Sequence, residues 1–483
     1  MSRPCIIVVD QGTSATKGFL FDEALKAVST EKIRHTVNRP QPGWVECDAT
    51  EILSACQTIT DRMVEEAQSQ SLTVAAVGMA FQRSTFLFWN RSTGEPLAPA
   101  MSWQDSRADR LAKEMSSHSD LIQQQTGIPL TGHFGGPKYL HTVRTDNEIK
   151  NRTKQGRLLF GTLSSFVTHR LTGNFFIDQS IAGRSLLMNI TTLQWEEDLM
   201  KLFEVGESCL PEIVPTCHNF GTVNTCGKAI PLLCIMGDQQ ASLIGQGRWN
   251  KGDVAMNFGT SGSVLVNNGQ SPAVVPSLLT NVLTSTVNSV QFLLEGTINS
   301  VGSLFRWLEE HLVIPHEEMA WDSRCNVETE GILVPGLNGI SAPYWTGEFD
   351  TELFGFGDDA KPNHYVRAAM ESIGFLVRDI SEVIREETNV TMKDIIASGG
   401  SSRAPLLQFI SDLLCTDVYT TQGRDMTALG VARLVAHSAL GQPLGEVMSR
   451  DKVFQPIMSE RAREKKMSAW HEAVRKLGIL KNN

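Results

Sequence analysis

One local pattern occurs twice in this sequence, once at its start and once just past its middle. Residues 6–21 consist of an apolar strand-like run, a turn rich in Gly, Ser and Thr, and a second strand-like run. Residues 254–266 repeat that order. Each segment predicts a β-hairpin with a small polar tip. Two such hairpins, each opening one half of the chain, predict a duplicated fold.

The remainder of the chain mixes strand-like and helical patterns, which predicts an α/β protein. A chain of 483 residues is too long for one ordinary core, so we expect two domains, over residues 1–246 and 247–483. The predicted helices cover residues 49–70, 103–118, 364–388 and 406–414, and further predicted strands cover 74–79, 86–89 and 395–396.

Composition excludes several classes of protein. Hydrophobic residues make up 41% and charged residues 20%, which is typical of a globular chain. The net charge of −10 argues against a nucleic-acid or anionic-membrane partner. The nine cysteines are scattered and form no C-x-x-C pair, which predicts reduced thiols in a cytoplasmic protein. We expect neither a signal peptide nor a membrane span.

The hairpin tips are candidate phosphate sites. Backbone N–H groups in a turn of small residues can bind phosphate even in an acidic protein. Neither segment is a P-loop, since no G-x-x-x-x-G-K-[ST] occurs in the chain. A third small-residue turn at residues 398–402 would let a nucleotide approach the backbone closely. The alternative for each segment is an ordinary turn.

Two aspartates follow apolar strands. Asp10, beside the first turn, could hold a metal-bound water, or could simply open a turn. Asp238, after residues 232–235, could take the proton from an attacking hydroxyl, or could cap a helix. Gln82-Arg83 and Trp103-Gln104-Asp105 flank other strands and suit a polyhydroxy ligand. Taken separately, an Arg is usually a surface residue and a Trp a core residue.

In order and spacing, segments along nearly the whole chain resemble the FGGY family of carbohydrate kinases, in the actin, hexokinase and heat-shock ATPase superfamily. The resemblance is greatest to the glycerol kinase branch. It implies two actin-like (ribonuclease H-like) α/β domains flanking a cleft for ATP and substrate. The segments that carry it are V-V-D-Q-G-T-S-A-T-K at 8–17, P-G-W-V-E-C-D at 42–48, F-Q-R-S-T at 81–85, S-W-Q-D-S-R-A at 102–108, L-L-F-G-T-L at 158–163, R-L-T-G at 170–173, M-G-D-Q-Q-A-S-L at 236–243, N-F-G-T-S-G at 257–262, A-P-Y-W at 342–345, R-A-A-M-E-S-I at 367–373, S-G-G-S-S at 398–402 and T-A-L-G-V-A at 427–432.

The resemblance also implies roles for individual residues. Asp238 matches the catalytic base, and Asp10 and Asp238 match the carboxylates associated with Mg²⁺. The positions that match ATP and phosphate contacts are Thr13, Ser14, Lys17, Gly259, Thr260, Gly302, Arg306, Gly399 and Gly400, with Arg306 standing where that branch usually has Gln. The positions that match substrate contacts are Gln82, Arg83, Ser84, Trp103, Asp105, His133, Asp238, Gln239 and Ser263.

Three of these positions differ from glycerol kinases. Ser84 replaces an acidic residue, His133 replaces a Tyr and Ser263 replaces a Phe. These changes remove a carboxylate and shrink an apolar wall, which predicts a roomier pocket. The segment from Trp103 to Arg107 also resembles the W-x-D-x-R of sugar and ketose kinases, but xylulose-type kinases usually carry Met-His where this chain has Gln82-Arg83.

The sequence therefore predicts transfer of the γ-phosphoryl group from Mg-ATP to a terminal hydroxyl of a small polyol or ketose, with four or five carbons favoured. One alternative is a true glycerol kinase with an altered pocket. An alternative of another class is a non-catalytic sugar or nucleotide sensor, although a sensor has little need for Asp238. A homodimer is considered, but no sequence feature indicates an interface.

Overall fold

A computed structural model describes residues 3–421, 423, 425–445 and 450–480. Its first large sheet has six strands. β1 is parallel to β6, and β6 is parallel to β13, whereas β1–β2–β3 and β12–β13 are antiparallel. In spatial order the strands are β12 (Thr222–Thr225), β13 (Lys228–Gly237), β6 (Leu72–Phe81), β1 (Arg3–Gln11), β2 (Ala15–Asp22) and β3 (Ala27–Arg34).

The second large sheet has seven strands. Its hairpin β14–β15 is antiparallel, and β14, β20 and β21 run parallel. In spatial order the strands are β16 (Leu279–Ser285), β17 (Val290–Ile298), β15 (Gly262–Gly269), β14 (Asp253–Phe258), β20 (Lys393–Ser398), β21 (Val418–Thr421) and β22 (Arg450–Phe454).

Both sheets share one arrangement, because the first strand of each hairpin pairs in parallel with a later strand of its own sheet. The predicted α/β class and the duplication are confirmed. Smaller sheets contain β4 (Val37–Asn38), β5 (Glu46–Cys47), β7 (Phe86–Asn90), β8 (Ala100–Met101) and β9 (Leu158–Thr162), then β10 (Phe176–Asp178) with β11 (Glu212–Val214), and β18 (Ile332–Val334) with β19 (Glu352–Phe354).

Helices cover both faces of the large sheets, as amphipathic segments between parallel strands should. α12 is the longest in the described part of the chain; Pro362 starts it and Asn389, in a left-handed conformation, ends it. The helices are α1 (Ala49–Ser69), α2 (Asp109–Glu114), α3 (Ser119–Thr126), α4 (Gly135–Thr145), α5 (Asn147–Lys154), α6 (Leu163–Thr172), α7 (Gln179–Ala182), α8 (Glu197–Leu202), α9 (Asp238–Gly245), α10 (Gly302–Leu312), α11 (Trp321–Arg324), α12 (Pro362–Thr388), α13 (Ala404–Leu414), α14 (Met426–Leu440) and α15 (Glu460–Lys476).

The core consists of layers. α1 and α6 pack on the outer face of the first sheet, and α10, α12 and α13 pack on the outer face of the second. Between the sheets, residues of α9 and α14, such as Val431, share one apolar cluster with inward residues of both sheets, such as Val8 and Leu265. α14 lies in sequence between β21 and β22 of the second sheet yet packs on β1, β6 and β13 of the first. The two sheets are thereby held against a common layer, while the boundary at residues 246 and 247 stays a prediction.

The predicted helix over residues 103–118 is wrong in its first third, since α2 begins only at Asp109. The chain turns there instead, because the Asp105 carboxylate accepts from the Val45 N–H at 2.7 Å and the Ser106 N–H donates to the Gly43 carbonyl at 2.8 Å. Contacts with a distant loop override the local helical pattern. Among the described residues no helix is long and apolar enough to cross a membrane.

Candidate functional site

The ends of three adjacent strands bring the first candidate residues together. In register, Gln11 of β1 and Gly237 of β13 both lie opposite Phe81 of β6. The carboxyl ends of these parallel strands therefore meet at one edge of the first sheet. Asp10 lies at that edge, and Arg83 and Asp238 follow it immediately.

The first hairpin closes with a hydrogen bond from the Gly12 N–H to the Ala15 carbonyl at 3.0 Å. Thr13 and Ser14 form its tip, and Ser14 is exposed. Lys17, on the returning strand, pairs with Asp425 at 3.2 Å, just before α14. The tip thus faces open space with a lysine beside it, as a phosphate contact requires.

The second hairpin contacts both of the other predicted nucleotide segments. The Gly302 N–H, at the start of α10, donates to the Gly259 carbonyl at 2.9 Å. The Ser401 N–H donates to the Phe258 carbonyl at 2.8 Å. Gly399 has a left-handed φ of +104°, and a Cβ there would lie 2.4 Å from the Phe258 oxygen. Only glycine fits that position, so the turn must pass directly over the hairpin.

The remaining predicted nucleotide residues border this junction. Gly302 is equally crowded, since a Cβ on it would lie 2.8 Å from the Gly259 oxygen. Thr260 and Gly400 are exposed, and so is Arg306, about one turn further along α10. Three segments distant in sequence therefore form one glycine-rich surface. They are the second hairpin, the start of α10 and the turn at residues 398–402.

Asp238 is the first residue of α9, so it lies where the helix dipole favours a negative charge. Its Oδ1 accepts from the Gln239 N–H at 2.8 Å and lies 3.6 Å from Nε of Arg83. Burial raises the pKa of Asp238 above the ordinary aspartate value, while Arg83 opposes that shift. The helix cap itself is Gly237, so Asp238 keeps one carboxylate oxygen available for chemistry.

Asp10 is the second carboxylate of the site. Burial, together with the charge of Asp238, raises the pKa of Asp10 to about 6, and Lys17 opposes this. The charge of Asp238 disfavours ionisation of Asp10, and a cation bound beside Asp10 would offset that repulsion.

Trp103 and His133 lie beside the first hairpin. The Trp103 indole is 41% exposed, and its N–H donates to Oγ1 of Thr13 at 3.0 Å. Nδ1 of His133 lies 3.1 Å from the Trp103 carbonyl and donates to it in the matching tautomer. Their hydrogen bonds hold both rings in place, and an exposed indole face can pack against sugar C–H groups.

Ser84 and Ser263 also lie near Arg83. Ser84 follows it directly, in a left-handed conformation with φ +62°, and is 6% exposed. Ser263 pairs with Thr297, two residues along β17 from Glu295, which places Ser263 and Glu295 on the same face of the sheet. Glu295 contacts Arg83, so that face points toward the candidate pocket.

Gln82 and Asp105 lie deeper than the sequence predicted. The Gln82 side chain is 4% exposed and donates to Oε1 of Gln11 at 3.2 Å, which ties it to the first hairpin. Asp105 is fully buried and is held by Val45 and Arg107. Both side chains are buried and hydrogen-bonded within the protein, and their predicted contacts with substrate stay a prediction.

Lys138 was not predicted as part of the site. Its side chain is fully buried on α4, and its Nζ donates to the carbonyls of Ser84 at 3.0 Å and Ser102 at 2.6 Å. One amine thus joins the loop after Arg83 to the loop before Trp103. Burial lowers the pKa of Lys138 to about 7. A lysine in a helix of mixed polar and apolar residues offers no sequence signal for this role.

Replacing Lys138 with Met should remove the link between these two loops and raise the acceptor KM by about tenfold, with a much smaller change in the ATP KM.

The same substitution should change how stability depends on pH. In the unfolded chain Lys138 keeps its proton to about pH 10.4, whereas the native amine releases it near pH 7. Lys138 therefore adds stability as pH rises from about 7 to 10, and Lys138→Met should lose that rise. Thermal unfolding across this range and steady-state kinetics would check both effects. An unchanged acceptor KM would contradict the proposed link between the two loops.

Arg184 and Glu295 were also missed. Glu295 lies on β17, and its carboxylate contacts the guanidinium groups of both Arg83 and Arg184. Nearby arginines hold the pKa of Glu295 at about 2, so it remains ionised. A lone charged residue in the apolar run 290–298 was the available signal, since a buried charge needs a partner.

Two sheets of matching topology, each contributing a small-residue hairpin to a site with two carboxylates, define the class of two-domain phosphotransferases. The model of the FGGY family of carbohydrate kinases matches this chain with its N-terminal domain over residues 5–245 and its C-terminal domain over residues 254–439. The chain belongs to the FGGY family of carbohydrate kinases. It is an ATP-dependent phosphotransferase with an alcohol group as acceptor.

Relatives span the chain from end to end. Glycerol kinase 1 of Thermotoga maritima is 32% identical, covering 98% of this chain and 99% of the relative, and the glycerol kinase of Ligilactobacillus salivarius is 31% identical, covering 100% and 99%. Among solved structures, Plasmodium falciparum glycerol kinase with ADP superposes with a TM-score of 0.93 at 30% identity, covering 100% of this chain and 99% of that one. A xylulose kinase from Lactobacillus acidophilus has the same fold, with a TM-score of 0.88 at 22% identity and 98% of each chain covered.

Proposed function

We propose that this enzyme transfers the γ-phosphoryl group of ATP to a terminal hydroxyl of a small, neutral polyol or ketose, with four or five carbons favoured. The observation that carries the proposal is the position of Asp238, whose carboxylate lies beside Arg83 at the strand edge that also holds Asp10. The proposed base Asp238, the proposed hydroxyl-binding Arg83 and the first hairpin, which is proposed to bind phosphate, lie at one edge of the first sheet.

Asp238 is the proposed general base. Its pKa, raised by burial although Arg83 opposes the shift, makes it a better proton acceptor than an ordinary aspartate. It would orient the acceptor hydroxyl and take its proton as the oxygen attacks the γ-phosphorus in line. The two hairpins would hold the phosphates with backbone N–H groups, and Lys17 and Arg306 would add positive charge.

Asp10 and Asp238 fit a divalent cation. Burial and, after it, the charge of Asp238 raise the pKa of Asp10, and carboxylate oxygens are the ligands that Mg²⁺ prefers. We propose that Asp10 and Asp238 would hold Mg²⁺. When bound, the ion would neutralise charge on the β- and γ-phosphates.

The charge balance of the pocket favours a neutral acceptor. Arg83 and Arg184 bring two positive charges, and Glu295 and Asp238 bring two negative charges. These four charges cancel, so neither arginine is left to pair with the carboxylate of a sugar acid. The short side chains of Ser84 and Ser263 favour an acceptor longer than glycerol, with the Trp103 face packed against its C–H groups.

A true glycerol kinase remains the principal alternative, because the relatives that match this chain over its full length are named glycerol kinases. A sensor without catalysis is less well supported, because Asp10 and Asp238 both lie at the site. Cytoplasmic location and a homodimer stay predictions, as does the absence of nucleic-acid and membrane partners.

The proposal is tested by coupled ADP release with Mg-ATP and a panel of glycerol, tetritols, pentitols, ketopentoses and ketohexoses, with gluconate as the charged comparison. We expect one neutral acceptor of four or five carbons to exceed glycerol in kcat/KM by at least tenfold. Preference for glycerol would support the alternative enzyme and overturn the argument from Ser84 and Ser263. Preference for gluconate would overturn the charge-balance argument. No turnover with any acceptor would support a sensor.

A further inference from the structure

The Arg83 guanidinium forms its shortest contacts with a carboxylate from the other large sheet, and its Nη1 also donates to Oε1 of Gln240 at 3.4 Å. Its Nη1 and Nη2 donate to the two oxygens of Glu295 at 2.8 and 2.9 Å. This is a bidentate pair, which fixes the plane of the guanidinium as well as its position. Nε, on the third edge, faces Asp238 at 3.6 Å. Arg83 is therefore oriented before any acceptor binds.

The Glu295 carboxylate also pairs with a second arginine. Arg184, in the turn after α7, donates through its Nη2 to the same carboxylate. Glu295 is 3% and Arg184 4% exposed, so this Arg–Glu–Arg group is buried. A buried carboxylate between two arginines has little freedom to move, since leaving them would leave unpaired charges in the core.

The position of Glu295 links two parts of the site. Glu295 pairs with Leu265 of β15, the strand that begins at Gly262 directly after the second hairpin turn. Arg83 follows β6 of the first sheet. The same carboxylate thus connects the acceptor side of the cleft to the strand that supports a phosphate hairpin. In-line transfer requires these two sides to be held at a fixed separation.

We propose that Glu295 is a positioning residue of the acceptor site, which orients Arg83 against Asp238 and sets the acceptor relative to the phosphate hairpin on β14 and β15. This inference rests on the proposed function and extends it to a residue outside the predicted site. Arg184 acts with Glu295 by holding its carboxylate, and neither residue needs to touch the acceptor.

The test compares Glu295→Gln with Glu371→Gln. Glu371 is a matched control because it is 1% exposed and also lies between two cations, Arg367 at 2.7 Å and Lys466 at 2.9 Å, on α12 at the outer face of the second sheet. Kinetics would use Mg-ATP and the panel acceptor with the highest kcat/KM in the wild-type enzyme. Both variants should lower the melting temperature, because each leaves buried cations short of a partner.

Only Glu295→Gln should alter acceptor kinetics. We expect its acceptor KM to rise about tenfold and its kcat to fall about tenfold, with the ATP KM within threefold of the wild-type value. Glu371→Gln should keep all three constants within twofold. Glu295→Asp, which keeps the charge on a shorter side chain, should recover part of the loss.

A double variant provides the test if Glu295→Gln does not fold. Glu295→Gln combined with Arg184→Met removes one buried anion and one buried cation together, so the local charge stays balanced. It should fold and still show the raised acceptor KM, because Arg83 lacks its bidentate partner. If an active Glu295→Gln or double variant kept its acceptor constants within twofold of wild type, as expected for Glu371→Gln, the role of Glu295 would be wrong. The proposed function would be unaffected by that result. A wild-type enzyme without any acceptor-dependent turnover would overturn the proposed function and this inference with it.

Discussion

Replacing Asp238 with Asn is expected to lower kcat by about a thousandfold or more, because the amide cannot accept the proton of the attacking hydroxyl. The substitution keeps the size of the side chain, so the start of α9 should remain intact. ATP binding should stay within about threefold of the wild-type affinity, since the hairpins and the glycine-rich surface are unchanged. Coupled ADP release and equilibrium titration with ATP would measure the two quantities separately.

Asp358→Asn is a suitable control, because that residue is exposed on the loop before α12 and far from the strand edge in sequence. It should leave both quantities unchanged. Near-wild-type turnover in Asp238→Asn would show that Asp238 is not the base. Loss of ATP binding along with turnover would instead assign Asp238 to the nucleotide site.

Replacing Asp10 with Asn is expected to lower activity by two orders of magnitude or more while making the ligand-free protein more stable. The loss of activity follows from removing a carboxylate proposed to hold Mg²⁺. The gain in stability follows from the pKa of about 6, against an ordinary value of 3.8. Between these values the native protein binds more protons than the unfolded chain, so stability falls as pH rises through this window.

Asparagine does not ionise, so Asp10→Asn should escape that fall. At pH 7.5, without Mg²⁺ or nucleotide, its free energy of unfolding should exceed that of the wild type by about 1–3 kcal/mol. At pH 4 the two proteins should be nearly equal. Chemical denaturation at both pH values, with Asp358→Asn as the control, would measure this. Lower stability of Asp10→Asn at pH 7.5 would contradict the raised pKa, and undiminished activity would contradict the role in holding Mg²⁺.

Together these variants distinguish residues proposed to take part in the reaction from residues proposed to hold the acceptor site in place. Asp238→Asn tests the base, Asp10→Asn tests the cation site, and the Glu295 and Lys138 variants test how the acceptor side is held. The first two should act mainly on kcat. The other two should act on the acceptor KM as well, because they displace groups that orient the acceptor without taking part in proton transfer.

The sequence by itself determined the class of fold and the family, because both depend on local patterns. The two hairpins, a long helix predicted over residues 364–388 and found over Pro362–Thr388, and the strands beside Asp10 and Asp238 follow from short-range periodicity and turn composition. The predicted helix over residues 103–118 failed where Asp105 bonds to Val45, 60 residues earlier, because a distant contact outweighs local propensity.

Only the tertiary structure decided how the site is held together. Glu295 meets Arg83 across 212 positions of sequence and Arg184 across 111, and Lys138 joins the carbonyls of Ser84 and Ser102 from a third segment. No short motif encodes such contacts, since buried charges are paired by whichever segments the folded chain brings together. The sequence predicted candidate ligand-binding residues, and the packing of the two sheets determined which charged groups contact them.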